Sequence, residues 1–364
     1  MSQTAAVLTN GWFSTVNAKT AHGLVRGPSR YRVLGVVDHA CAGRDAGEAL
    51  DGKARGIPCY ASLDDLIAAA GKPEVCVVGI ATPGGVLPPE FRSLLLDAAR
   101  RGIGLVNGLH TFLGDDQDIA AAAAESGARI VDVRRPKARA ELRFWSGTIR
   151  DVEAPRLAVL GTDCALGKRT TSQVVVAACR AAGMRAEMIY TGQTGWLQGG
   201  KHGFILDSTV NDFVSGELER AVVACDRAER PDLIVLEGQS ALRNPSGPCG
   251  AELLVSAEAH GVILQHAPAR LFFEEQEELG NRIPSLASEI ELIRLYGARV
   301  LAIALNHEHL PENDREAARR RVEEETGVPA IYPLSEGERL QPLVADYVAA
   351  ERATRAARGA KANA

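Results

Sequence analysis

Short apolar runs closed by glycine or polar turns recur along the chain, and between them apolar positions return with helical spacing. Residues 5–11, Tyr31–Val37, Pro58–Tyr60, Val75–Ile80 and Gly104–Asn107 read as strands, with helices at Lys19–Arg26, after Ser62 and at Pro89–Arg101. The alternation resumes with Leu157–Leu160, Ala186–Thr191, Leu233–Leu236, Val262–Leu264, Arg299–Leu305 and Ala330–Tyr332. Further helices are expected at Ser172–Ala182, after Asn211-Asp212, and at the C-terminus. Apolar strands alternating with helices of this length predict an α/β protein with a doubly wound parallel sheet in each half. Ligands bind at the C-terminal ends of strands in such sheets.

The pattern breaks once, where Arg134 to Asp151 turn charged and irregular. A chain of 364 residues also exceeds what one core usually serves. Two domains follow, at 1–135 and 153–350, joined by a connection at 136–152 and trailed by a basic, Ala-rich tail at 351–364. The tail is expected to fray. Arg134-Arg135-Pro136-Lys137 in the connection reads as a solvated basic stretch rather than a phosphate contact.

Net charge is −5, which provides no general basic field for nucleic acid or an anionic membrane. No apolar run approaches a membrane span, and no basic-then-apolar segment opens the chain, so a cytoplasmic location is expected. The seven cysteines are scattered and hold no C-x-x-C pair, which suits reduced thiols.

The sharpest chemical signal lies at Gly161-Thr162-Asp163-Cys164-Ala165-Leu166-Gly167-Lys168-Arg169-Thr170-Thr171. An apolar strand, a glycine-bounded loop, then Lys at the mouth of a helix is the layout of a phosphate-binding loop. Backbone N–H groups and the helix N-terminus face an anion there, and the lysine adds charge. Two departures stand out. The first glycine is one position early, and Arg169 stands where a magnesium-binding hydroxyl is usual. Cys164 reads as a small residue fitted to the turn rather than a nucleophile.

Four other strand ends carry polar groups: Gly192-Gln193-Thr194-Gly195, Glu237-Gly238-Gln239-Ser240, Gln265-His266 and Asn306. His266 is the acid/base candidate, because histidine titrates near neutral pH; Glu237 and Asp212 are the competing bases. Arg243 is placed to clamp a substrate carboxylate. Asn306 either reads a nucleotide base or caps the next helix. Asp38, closing the second strand, either holds a ribose or caps a loop, since no G-x-G-x-x-G follows the first strand. His307 and His309, two apart on a loop, are a poor zinc signature, so no metal is expected.

The loop opening Gly161-Thr162-Asp163, with Glu237-Gly238, resembles dethiobiotin synthetase. "Gly-Ile-Pro-Cys-Tyr…Leu-Asp-Asp-Leu" loosely resembles the coenzyme-A-holding domain of succinyl-CoA ligases. A wider set covers nearly the whole chain: Gly161–Thr171, Thr191–Trp196, Asn211–Glu217, Glu237–Leu242, Pro245–Gly250 and Leu264–Pro268, with Lys19–Arg26 and Asp45-Ala46-Gly47. Together they resemble the D-glutamate N-acetyltransferase family. That resemblance implies a Rossmann-like N-terminal domain and a P-loop NTPase-like C-terminal domain. It also implies acetyl transfer from acetyl-CoA to the amine of D-glutamate, and self-association of the chain. Gly161, Thr162, Asp163, Cys164, Ala165, Gly167, Lys168, Arg169, Thr170, Thr171 and Asn306 would then hold the donor. Gln193, Thr194, Gly195, Gln239, Ser240 and Arg243 would hold the amino acid, with an oxyanion donor near Gly195 or Gly238. The alternative is an ATP- and Mg-dependent ligase or kinase of the dethiobiotin synthetase type, acting on a small carboxylate or amine.

Overall fold

All strand pairings in both sheets are parallel, and each sheet is the centre of its own compact unit. The structure is a computed structural model that describes residues 2–362. One unit comprises 1–137, 192–201 and 205–209; the other comprises 138–191, 202–204 and 210–364.

In the first unit the strands are β1 (Thr4–Leu8), β2 (Arg32–Val37), β3 (Cys59–Tyr60), β4 (Val75–Val78), β5 (Gly104–Asn107) and β6 (Ile130–Asp132), in the order β3-β2-β1-β4-β5-β6. Helices α1 (Lys19–Arg26), α2 (Ala46–Asp51), α3 (Leu63–Ala70), α4 (Pro89–Arg100) and α5 (Gln117–Ser126) connect them. Side chains alternate across the pleat, so β1 sends Ala6 and Leu8 into one core and Ala5 and Val7 into another. Asp45, Ser62 and Asp116 start their helices by accepting first-turn N–H groups. Asp38 is the capping acid. Its carboxylate accepts from Thr9 Oγ1, Gly11 N, Phe13 N and Ala40 N and is fully buried, so no ribose is held there.

The second unit holds β7 (Arg156–Gly161), β8 (Ala186–Tyr190), β9 (His202–Gly203), β10 (Leu233–Glu237), β11 (Gly261–His266), β12 (Arg299–Leu305) and β13 (Ala330–Ile331). Their order is β13-β12-β11-β7-β10-β8-β9, with β7 central. After α6 (Lys168–Ala181) the chain spends α7 (Gln193–Leu197) in the first unit. It continues with α8 (Asn211–Glu229), α9 (Ala251–Val255), α10 (Leu286–Leu295), α11 (Arg315–Thr326), α12 (Pro333–Glu336) and α13 (Leu340–Ala362). Helix α6 starts four residues before the expected Ser172, because Gly167 in the left-handed region turns the chain straight into it. Val210 takes the N-cap position of α8, so Asn211 and Asp212 form its first turn rather than its cap.

Two charged segments are more ordered than their composition suggests. In 134–137, Arg134 pairs with Asp207 and Arg135 with Asp115, so this stretch is paired, not simply solvated. Beyond it, the backbone of 143–149 is held by α8: Glu217 accepts from Arg143 N, and Glu219 from Ser146 N, Ser146 Oγ and Ile149 N. Phe144 packs on Phe213 at 4.4 Å between ring centroids. The C-terminal stretch continues α13, with Arg352 paired to Asp232 at 2.7 Å and Tyr347 Oη donating to Arg156 O at 2.6 Å. Among the described residues no helix is long and apolar enough to cross a membrane.

Gly216 of α8 is where the 143–146 strap lies closest, since a Cβ there would overlap the carbonyl oxygen of Arg143. Alanine in mid-helix ordinarily gains about 1 kcal/mol over glycine. Here the overlap outweighs that, and Gly216→Ala should destabilise by about 2 kcal/mol, read as a lower denaturant midpoint. A midpoint at or above wild type would show that the strap is loose.

Candidate functional site

The loop after β7 turns around a carboxylate that faces inward. Asp163 is fully buried; its Oδ2 accepts from Arg270 Nη1 at 2.9 Å and Glu274 N at 2.7 Å, and its Oδ1 from Asn244 Nδ2 at 3.1 Å. Arg270 also donates to Cys164 O and pairs with Glu308 beyond β12. Asn244 Oδ1 in turn accepts from Ser246 N, Ser246 Oγ and Gln276 Nε2. One acid thus binds the loop to 238–250 and to 267–276. Asp163 was expected to touch a donor; with its oxygens committed to protein donors, its side chain holds the loop instead.

Around that pin the remaining loop residues are set for an anion. Ala165 and Gly167 lie in the left-handed region, at φ +50 and +100, which turns the backbone into a concave N–H-lined path. Lys168 is buried and donates to Asp163 O at 2.6 Å, and burial pushes its pKa down. Thr162 N donates to Gln265 O at 3.0 Å, Thr171 Oγ1 to Gln265 Oε1, and Ser172 Oγ to Lys168 O at 2.9 Å. Thr171 is therefore committed to β11, while Arg169 and Thr170 are half-buried on the first turn of α6. Asn306 donates from Nδ2 to Leu166 O at 3.0 Å and accepts Glu308 N on Oδ1 at 2.9 Å. It supports the loop and the turn after β12; base reading is not the use its amide is put to.

Two expected acid/base groups sit beside the loop. His266 Nδ1 lies 3.0 Å from Thr162 Oγ1 at the end of β11, and burial holds its pKa at about 4. Glu237 is buried at the end of β10, where it accepts Thr191 N at 3.0 Å. Asp212 is apart from this network, exposed in the first turn of α8, where its charge suits the helix N-terminus.

The amino-acid-binding candidates divide between the units. Gln193, Thr194 and Gly195 are buried in α7 and belong to the first unit, with Gln193 packed on Gly108. Gln239 and Ser240 follow β10 in the second unit; Ser240 takes φ +43 and accepts from Cys164 Sγ at 3.4 Å. Arg243 is not available as a carboxylate clamp. Its Nε and Nη2 lie 2.7 and 2.6 Å from Glu289 Oε2, and Nη2 also donates to Ser288 Oγ. Gly238 N is spent on Val159 O, so it cannot serve an oxyanion. His307 and His309 are exposed, and among the described residues no group of three or more His, Cys, Asp or Glu is placed to hold a metal.

Family models match both halves. Residues 143–341 match the P-loop domain of unknown function DUF1611_C, and residues 39–136 match the Rossmann-like domain DUF1611_N. The chain belongs to the DUF1611 family. A DUF1611 family protein from Anabaena variabilis superposes on 95% of this chain and 99% of its own, at TM-score 0.84 and 30% identity. A protein of Tritonibacter scottomollicae named D-glutamate N-acetyltransferase is 32% identical over 284 residues, 76% of this chain and 81% of its own length. A Pseudoalteromonas protein of the same name is 26% identical, covering 72% and 78%. Arg270, Asn244 and Gln276 of the DUF1611 site escaped the sequence reading. They lie on irregular loops, where no period marks a residue as inward.

The buried pin carries a strong stability expectation. Asp163→Ala leaves Glu274 N and Asn244 Nδ2 without their buried acceptor and strips Arg270 of one of its two carboxylates, and should cost about 3–5 kcal/mol, measured by denaturant unfolding. His266 gives a second. Its folded pKa is depressed, so as pH falls from its ordinary 6.5 toward 4 the unfolded chain takes up a proton first. Stability contributed by the neutral ring is therefore complete above pH 6.5 and lost across that window, by roughly 3 kcal/mol. His266→Gln should flatten this part of the pH–stability curve, and an unchanged slope would contradict the buried, neutral ring.

Proposed function

We propose that the protein transfers the acetyl group of acetyl-CoA to the amine of D-glutamate, with the loop Gly161–Thr171 anchoring the phosphates of the donor. The observation that carries the reading is the pairing of a P-loop braced for an anion with relatives named D-glutamate N-acetyltransferase over three quarters of the chain. Lys168 leaves the Asp163 carbonyl and pairs with phosphate, which replaces a neutral acceptor with a charged one and strengthens the bond. Arg169 at the helix mouth supplies a second cation where nucleotide-cleaving loops usually hold a magnesium hydroxyl. That exchange favours anchoring a phosphate over cleaving one.

A second reading is an ATP-dependent enzyme acting on a small carboxylate or amine. Glu237 favours it, as a buried carboxylate at the strand end next to the loop, where a metal-bound water would be oriented. The two separate cleanly. Thiol release from acetyl-CoA is followed with D-glutamate, L-glutamate or no amine, each with and without ATP and Mg. Amine-dependent release without ATP is expected, and Lys168→Ala should raise the acetyl-CoA KM about 10- to 100-fold, the loss of one charge-assisted hydrogen bond. Release that occurs only with ATP hydrolysis would overturn the transferase reading.

A further inference from the structure

The P-loop unit holds a second charged recess, at the opposite end of its sheet from the loop Gly161–Thr171. A cavity of about 570 Å³ lies where 150–156, the turn before β11 and the end of α13 come together, and all of its walls belong to this one unit. Arg156 begins β7 and Gly161 ends it, so the strand holds the two places roughly 16 Å apart at about 3.3 Å per residue. Nothing in the acetyl-transfer reading uses this end of the sheet.

Two guanidiniums converge in the recess. Arg156 is 7% exposed; its Nε donates to Ala257 O at 3.0 Å, and its Nη1 to Val152 O and Ala154 O, both at 3.2 Å. Arg355 arrives from α13, and its Nη1 donates to the same Val152 O, with Nη2 3.4 Å from Arg150 O. One carbonyl thus draws two like charges together. Burial pushes the Arg156 pKa down and the Arg355 charge adds to that push, against the pull of Glu258 and Glu351. The carboxylates in the wall are mostly engaged. Glu258 lies 3.3 Å from Arg156 Nη2 and 3.7 Å from Arg150 Nε, with its backbone at φ +50, an uncommon setting for a glutamate. Glu351 Oε2 lies 3.2 Å from His260 Nδ1, Arg352 is paired with Asp232, and Glu153 completes the acidic side of the wall. Arg355 differs from the other arginines. Its acceptors are main-chain carbonyls, which place a guanidinium without neutralising it, and no carboxylate among the described residues is paired with it.

We propose that this recess binds a small phosphate monoester, with the phosphoryl group between Arg156 and Arg355 and the organic part in the rest of the cavity. A guanidinium has five N–H donors; the four contacts of Arg156 leave one on Nη2, and the two of Arg355 leave three. A monoester brings close to two negative charges and three acceptor oxygens on one centre at neutral pH, so it takes donors from both guanidiniums at once. A carboxylate brings one charge and two oxygens, which one guanidinium already matches. The cavity volume is in the range of small-molecule sites, and a buried arginine fixed by three main-chain carbonyls is a preformed wall rather than a mobile surface charge. The inference is independent of the acetyl-transfer reading, because the P-loop lies at the other end of β7.

The test titrates the full-length protein with glycerol 3-phosphate at constant ionic strength and follows amide hydrogen exchange, which reads this recess separately from the P-loop. Added protection of 150–156 and 351–355 is expected in wild type and equally in Lys168→Ala. Arg355→Gln, which keeps a donor but removes the charge, should raise the Kd read from that protection about 10- to 100-fold. Should Arg355→Gln lose its fold, Arg355→Lys carries the same test. It keeps the charge without the fork, and a weakening of about 3- to 10-fold is expected. Protection confined to 161–171, or protection of 150–156 that neither Arg355 variant weakens, overturns the site. Equal protection by succinate at the same concentration overturns the assignment to a phosphate monoester.

Discussion

Burial of the Asp163 carboxylate is the constraint on which the P-loop unit depends. A desolvated charge is tolerable only when every oxygen is matched, and here an arginine, a main-chain N–H and an amide match it. Those partners come from two segments far away in sequence, 244 and 270–274, so the loop cannot form its turn until both have arrived. The consequence is a loop whose turn is fixed by the rest of its own unit.

The same acid explains why Lys168 can be buried at all. Its ammonium lies against the Asp163 carbonyl with the Asp163 and Glu237 carboxylates in its surroundings, and that negative field offsets part of the desolvation. Arg270 shares the Asp163 carboxylate at 2.9 Å, so the lysine meets only part of that charge, and burial still pushes its pKa down. The pin and the cation thus meet in one loop residue, its carboxylate fixing the turn and its carbonyl accepting the ammonium.

The fold was legible in the chain because parallel sheets write themselves as unbroken apolar runs. The strands at Gly104–Asn107 and Arg299–Leu305 and the helix at Lys19–Arg26 have the bounds their residues suggest. The site was legible only in part. Gly161 to Lys168 announce themselves by spacing, but whether a polar side chain faces a ligand or the protein is decided by what comes near it from elsewhere. Asp163, Asn306 and Arg243 looked like ligand contacts and are structural, because Arg270, Leu166 O and Glu289 meet them first. Arg134 looked like a solvated charge and is the support of Asp207.

That asymmetry bears on where the chemistry lies. Residues at the ends of β11 and β10 attracted the acid/base assignment because strand ends are where ligands bind in parallel sheets, yet burial decides what such a residue can do there. His266 illustrates the point. A ring neutral down to about pH 4 adds no charge to the loop and, through Thr162, fixes the hydroxyl beside the first turn. A base for an ammonium needs the opposite environment: solvent access, a neighbouring carboxylate, and a pKa within reach of neutral pH. The buried end of β11 does not offer His266 that environment, since the ring is covered and its pKa is held at about 4.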